Sequence, residues 1–255
     1  MSEQLLPRPI LQAENICVQF GEFHALSGMS LRMNPNSIHA LIGPNGAGKT
    51  SFFNAISGIR PPNSGTVTFD GRIVTKMPAH ERVHQGMARS FQVTNIFPTL
   101  TVAENIRLAV QARHRREGWV FWRSPAVRRD ILEEAQLIME RIGIASRAGM
   151  PAGELSHGGQ RSLEIGMALG GRPKLICLDE PLAGMGIDDV QATKELILGL
   201  KADTSVLLIE HNMSVVLSIS DRVTVMVQGK KVAEDAPTAI RKNEAVMAAY
   251  LGSQA

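Results

Sequence analysis

Two cysteines among 255 residues are too few to staple a chain of this size, which excludes a disulfide-dense secreted scaffold. Cys17 and Cys177 each lie in an apolar, strand-like run (NICVQF and LICLDE) and read as small buried side chains in a reducing cytosol. No apolar run approaches the ~20 residues a helix needs to cross a bilayer. The chain is therefore not expected to span a membrane alone, and the opening MSEQLLPRPI lacks the charged-then-apolar pattern of a signal peptide. Charge of one sign is also missing: 27 Lys and Arg face 24 Asp and Glu, leaving +3, a weak basis for a nucleic-acid partner. There is no internal repeat and no low-complexity tail. What remains, 44% hydrophobic and 20% charged with 23 Gly and 13 Pro, excludes a disordered or collagen-like chain. Its length suits one large α/β domain, or one domain carrying an insertion.

The first hundred residues read as strands and turns. Ile16 to Phe20 alternates and ends at Gly21. Ser37 to Ile42 is a short apolar run entering a glycine-rich turn, and Lys49 to Ser57 then carries Phe52, Phe53 and Ile56 at helical spacing with Gly58 as its cap. Thr66–Phe69, Asp70-Gly71 and Arg72–Val74 predict a hairpin, because Asp-Gly favours the tight turn. A short strand is expected at Ala88–Phe91. From about Thr101 to Ala168 apolar residues recur every three or four positions, predicting helices. Strand signals return at Lys174–Leu178, Ser205–Ile209 and Arg222–Val227. Short apolar strands alternating with helices imply a mainly parallel sheet covered on both faces. The expected α/β fold has an antiparallel β part at its N-terminus and a core over about 1–98 and 170–255, with a helical subdomain at about 99–169.

Gly43, Pro44, Asn45, Gly46, Ala47, Gly48, Lys49 and Thr50 fit G-x-x-x-x-G-K-[ST] between a predicted strand and a predicted helix. The glycines let backbone N–H groups turn inward onto phosphate oxygens, and the new helix adds its positive N-terminal end. Lys49 can reach the β- and γ-phosphates, the Thr50 hydroxyl can ligate Mg²⁺, and Ser51 is placed for a further phosphate contact. Leu175–Leu178 delivers Asp179 and Glu180 to the sheet edge where parallel sheets bind ligands. Asp179 can hold Mg²⁺ through its water shell and Glu180 can polarise an attacking water. His211 follows the strand ending at Ile209 and should reach the same edge. Taken alone, His211 and Gln92 are ordinary residues after strands.

The order of these features closely resembles that of ATP-binding-cassette (ABC) ATPases over essentially the whole chain. Phe20, the glycine loop, Gln92, Leu155-Ser156-His157-Gly158-Gly159-Gln160, Asp179-Glu180 and His211 occur in that family's sequence. The resemblance implies ATP and Mg²⁺ as ligands, with Phe20 stacking on adenine. Gln92 would sense Mg²⁺ and a transmembrane partner, Glu180 would be the general base, and His211 would contact the γ-phosphate. Ser156, Gly158 and Gly159 would cap ATP held by a second ATPase subunit. The flanks resemble one of the two ATPase subunits of bacterial branched-chain amino acid importers, a group that also takes up urea and amides. They are Gly86–Gln92, Asn95–Pro98, Leu100–Val102, Glu180–Met185, Ile209–Met213 and Ala249–Gly252. Permease subunits, and indirectly a solute-binding protein, would be the further partners, with the chain held on the cytoplasmic face of the membrane.

The sequence departs from the family pattern twice. Ungapped alignment puts His157 where the first signature glycine usually stands and Gly159 where glutamine is common; a one-residue insertion would restore Gly-Gly-Gln at 158–160. Ala183–Gly186 lacks the usual terminal aspartate. Two sites of unequal activity would follow if the partner is a different chain. The stretch from Arg113 through Trp119, Trp122 and Arg128-Arg129 reads as a solvated loop, with lipid-headgroup contact as the alternative. Two rival functions stay open: a soluble ABC-type ATPase of DNA repair or translation, and a regulatory module that binds ATP without turning it over. No Asn-Lys-x-Asp guanine-reading motif occurs.

Overall fold

Strand β1 (Leu11–Phe20) buries Leu11 and Ala13, then Ile16 and Val18, so its inward face changes parity at residues 14 and 15. A β-bulge absorbs the change: the register slips between Ala13 and Ile16, and Asn15 sits in the left-handed region at φ 51°. Cys17 then lies between two inward residues and points the other way. It is only half-buried, correcting the expectation of a buried side chain; Cys177 is buried and both thiols are free.

The computed structural model describes residues 8–90, 96–114 and 125–251. After β1 come β2 (Phe23–Met33), β3 (Ile38–Ile42), α1 (Lys49–Ser57), β4 (Ser64–Phe69), β5 (Arg72–Ile73), α2 (Ala79–His84) and β6 (Met87–Arg89). The helices α3 (Val102–His114), α4 (Pro125–Arg141) and α5 (His157–Leu169) follow. Then come β7 (Leu175–Asp179), α6 (Ile187–Leu200), β8 (Ser205–Ile209), α7 (Met213–Ile219), β9 (Arg222–Val227), β10 (Lys230–Asp235), α8 (Pro237–Ile240) and α9 (Glu244–Leu251). The chain divides into two compact units: Met1–Met87 with Lys174–Glu180 and Ile197–Ala255, and Ala88–Pro173 with Pro181–Leu196.

The first unit contains a four-stranded antiparallel sheet, β2-β1-β4-β5. The second sheet runs β10-β9-β3-β8-β7 and ends with β6, where the chain passes out of the unit. β3 pairs in parallel with β8 and β9, and β7 with β8, while β10 is antiparallel to β9. All five residues of β3, β7 and β8 are buried, as expected for parallel strands covered on both faces. Alternation along β3 splits the core in two. Leu41 packs with Phe52, Phe53 and Ile56 of α1, whereas Ala40 and Ile42 pack with Val216, Ile240 and Val246 from α7, α8 and α9.

α1 spans the predicted residues and ends at Gly58 in the left-handed region, whose N–H donates to the Asn54 carbonyl. Its C-terminal carbonyls have a further donor. Arg82, only 1% exposed, gives Nη1 to the carbonyls of Ala55 (3.1 Å) and Ile56 (2.5 Å). Its Nε reaches the Met77 carbonyl (2.9 Å) and its Nη2 that of Thr75 (3.0 Å). Burial brings its pKa down to about 10, so it remains charged at neutral pH and complements the negative end of α1.

In the second unit α3 starts with a reciprocal cap. Thr101 N donates to Glu104 (2.9 Å) and Glu104 N donates back to Thr101 Oγ1 (3.1 Å), a T-x-x-E signature readable in the sequence. Ile106, Ile138, Ile142 and Leu163 are buried. Glu134 on α4 receives Arg113 and Arg172.

Candidate functional site

The loop from Gly43 to Gly48 joins the end of β3 to the start of α1, as the sequence predicts. Two features fix its shape. Ala47 N donates to the Pro44 carbonyl (3.2 Å), and the Ala47 carbonyl accepts from Gly229 N (2.9 Å). Gly48, at φ 97°, could not carry a side chain: a Cβ there would stand 2.6 Å from the Ala25 carbonyl oxygen. The loop therefore delivers the chain into α1 with the first helical N–H groups unpaired inside the helix, an arrangement suited to anions.

Lys49 is buried and bent back over this loop. Its Nζ donates to the carbonyls of Gly43 (2.7 Å) and Pro44 (3.0 Å). Burial holds its ammonium below the ordinary lysine value, opposed by the nearby carboxylates of Glu180 and Asp179. Thr50, the next residue, is exposed and Ser51 is half-buried.

Asp179 ends β7 opposite Ile209 of β8 and is almost fully buried. Glu180 leaves the strand with φ 46°, its N–H bonded to the Ile209 carbonyl at 3.0 Å. A left-handed glutamate is uncommon and costs on the order of 1 kcal/mol. The turn directs the carboxylate to His211, whose Nε2 lies 2.5 Å from Glu180 Oε1. Asn212 then caps α7, accepting from Ser214 N and Val215 N, which fixes where the chain leaves His211. The first unit thus brings Lys49, Asp179, Glu180 and His211 to the C-terminal ends of neighbouring parallel strands, where open α/β sheets take their ligands.

Phe20 closes β1, half-exposed, with the Arg60 guanidinium 3.9 Å from its ring centroid. Gln92 lies outside the described residues, as do Trp119 and Trp122. Among the described residues no cluster of three or more His, Cys, Asp or Glu could hold a metal. The hydroxyl and carboxylate oxygens of Thr50 and Asp179 are hard donors. They fit Mg²⁺, which keeps several waters and takes phosphate oxygens where protein ligands are few.

In the second unit Ser156 is the N-cap of α5, its Oγ accepting from Gly159 N at 3.1 Å. The helix therefore starts at His157, which is exposed beside Gly184. Gly158 has no room for a side chain, since a Cβ would come within 2.6 Å of Asp189 Oδ2. A side chain at Gly186 would meet nothing within 4 Å. Its carbonyl accepts from Val190 N (3.0 Å), so it stands at the head of α6.

Residues 26–183 match the model of the ABC transporter family, and residues 230–255 match that of the branched-chain amino acid ATP-binding cassette transporter. The chain is 37% identical over 254 residues to the high-affinity branched-chain amino acid transport ATP-binding protein BraF of Pseudomonas aeruginosa, covering 97% of this chain and 99% of that protein. It is 36% identical to LivG of Escherichia coli at the same coverage, and 33% identical to the lipopolysaccharide export ATP-binding protein LptB of Haemophilus influenzae over 96% of this chain and 98% of that protein. Among solved structures, the ADP conformation of the ATP-binding cassette MJ1267 superposes with a TM-score of 0.84 at 31% identity, covering 96% of this chain and 99% of that one.

Proposed function

The chain belongs to the ATP-binding-cassette family of transporter ATPases, and from that premise we propose that it energises an importer of branched-chain or other hydrophobic amino acids, or of related amides or urea. The observation that carries hydrolysis is the Glu180–His211 contact at the strand ends that also receive Lys49. The solute class is supported by the match at residues 230–255 and the near full-length similarity to BraF and LivG. The 33% identity to an exporter's ATPase shows why the cassette core alone does not choose the solute.

The triphosphate lies along the Gly43–Gly48 loop, taking the free N–H groups at the head of α1. Lys49 gives up its two loop carbonyls and turns its ammonium to the β- and γ-phosphate oxygens. Ser51 adds a hydroxyl, and Phe20 stacks on the base. Thr50 and Asp179, with Gln92, would hold Mg²⁺, which supplies neutralisation of phosphate charge when bound. Glu180 accepts a proton from the water as its oxygen bonds to the γ-phosphorus, while the bond to ADP breaks. His211 holds Glu180 in place and meets the γ-phosphate.

Ser156, Gly158 and Gly159 at the N-terminus of α5 complete the site of a second ATPase subunit, and ATP closes the pair. The helical subdomain is the stretch at about 99–169 in this reading. The cassette acts on the cytoplasmic face through permease subunits, with a solute-binding protein delivering cargo outside; among the described residues no helix is long and apolar enough to cross a membrane. His157 and the absence of a carboxylate at Gly186 support a different chain as partner, with unequal sites.

The test is the steady-state ATPase rate against concentration of the purified chain, with Lys49→Ala as blank. A flat, blank-level rate with ATP bound, raised by a co-expressed second ATPase subunit, is the expected result. A rate rising with the square of concentration would mean that the chain pairs with itself. No turnover beside any partner would select the silent regulatory module instead.

A further inference from the structure

We propose that Arg60 backs the base platform: its guanidinium covers one face of the Phe20 ring, so that the purine of ATP stacks on the other. The proposal rests on the reading of Phe20 as the base contact and deepens it by assigning a second residue to the same subsite.

Three contacts hold Arg60 there. Its backbone N–H donates to the Asn54 carbonyl of α1 at 3.2 Å, alongside that of Ile59 at 3.1 Å. Its Nη2 reaches the Gln19 carbonyl, next to Phe20, at 3.4 Å. Its Cζ stands 3.9 Å from the ring centroid, well inside the ~6 Å range of cation–π attraction. The side chain is exposed and could extend into water, yet it lies on the ring.

The ring itself needs such support. Phe20 is the last residue of β1, paired with Phe23 across a tight turn, and it is 45% exposed. An aromatic at a hairpin tip with both faces wet would pivot about its side-chain bonds. A planar guanidinium on one face fixes the ring plane and leaves a single face for a ligand. α1 links this subsite to the phosphates: Lys49 begins the helix, and Arg60 follows just beyond its Gly58 cap. One element thus sets the phosphate loop at its head and the base platform beyond its tail.

Neither Phe20 nor the guanidinium that backs it offers a hydrogen-bonding pattern that distinguishes one purine from another. The effect of Arg60 should therefore be the same for ATP and GTP and absent for a triphosphate without a base.

The experiment measures dissociation constants of ATP, GTP and inorganic tripolyphosphate for the wild type, Arg60→Ala, Arg60→Gln and Phe20→Ala, each checked by thermal unfolding. Losing an exposed cation–π contact should weaken ATP and GTP binding about two- to fivefold in both Arg60 variants and leave tripolyphosphate unchanged. Phe20→Ala should weaken both nucleotides by about fivefold or more. If Arg60→Ala weakens tripolyphosphate as much as ATP, Arg60 acts through charge and the proposal is overturned. Unchanged or tighter ATP binding in Arg60→Ala, with Phe20→Ala weakened, would also overturn it and leave the Phe20 reading intact. Unchanged ATP binding in Phe20→Ala would remove the platform itself.

Discussion

The imidazole Nε2 of His211 lies 2.5 Å from Oε1 of Glu180, across the ends of two adjacent parallel strands. Glu180 reaches it only because its backbone turns left-handed at φ 46°, with its N–H tied to Ile209. The chain thus holds a carboxylate and an imidazole in contact at the ends of these two strands.

Glu180→Gln should keep ATP affinity and lower the hydrolysis rate by about 10²- to 10⁴-fold, the range a general base contributes. His211→Ala should slow hydrolysis too, by freeing Glu180. Single-turnover hydrolysis in the assembled complex, with ATP binding measured separately, checks both. Near wild-type turnover in Glu180→Gln would remove it from the role of base.

Arg82→Met should be among the most destabilising single changes in the first unit. It leaves the carbonyls of Ala55, Ile56, Thr75 and Met77 without the donor they now share. The expected loss is on the order of 3–5 kcal/mol, or about 10 °C in melting temperature for a chain of this size. Calorimetry of the purified chain measures it, and a drop under 2 °C would show that water replaces the guanidinium.

Gly48→Ala should damage the loop beyond its modest change in size. The new methyl would press on the Ala25 carbonyl at a backbone angle that alanine avoids. A loss of about 1–3 kcal/mol, with ATP binding weakened at least as much as stability, is expected. Binding titration at a temperature where the variant is folded separates the two effects.

Gly186→Asp should fold without penalty. The position heads α6, a side chain there meets open space, and aspartate at a helix cap gains a few tenths of a kcal/mol over glycine. A melting temperature within about 1 °C of wild type is the expected outcome. A loss of several degrees would mean that packing, rather than the partner-facing role proposed for it, keeps glycine there.

His39 predicts a pH dependence. It is 1% exposed on β3, with Nε2 2.7 Å from Thr224 Oγ1 of β9, and burial lowers its pKa from 6.5 to about 4. Glu234 pulls the other way, and Arg222 and Lys231 add to the lowering. The unfolded chain therefore binds a proton between pH 6.5 and 4 that the folded chain refuses. Stability is fully present above 6.5 and falls as pH drops through this window, by about 3 kcal/mol. Denaturant unfolding of wild type and His39→Asn across these pH values should show that component only in the wild type. Parallel curves would count against it.

Much of the fold was legible where one local rule acted alone. Lys49–Ser57 with its Gly58 cap and the Asp70-Gly71 turn follow from spacing and turn chemistry. β2 was not legible, because Ser27-Gly28 interrupts its alternation while pairing with β1 carries the strand through. β10 escaped for the opposite reason: as an edge strand its side chains are largely polar and exposed, with no apolar face to read. The glycine loop and the two carboxylates stood out because their chemistry requires those residue types. Arg60 and Arg82 carry no signal in the sequence, since what gives them meaning is a ring or carbonyls brought near by the fold.

Lys49 is never idle. Its ammonium donates to the carbonyls of Gly43 and Pro44, so any anion that engages it must replace two neutral acceptors. A charged oxygen makes the stronger hydrogen bond to the ammonium and can win that exchange. The two carbonyls thus set a threshold in the proposed ATP-binding role: a ligand must bring anionic oxygens to Nζ before the lysine leaves them.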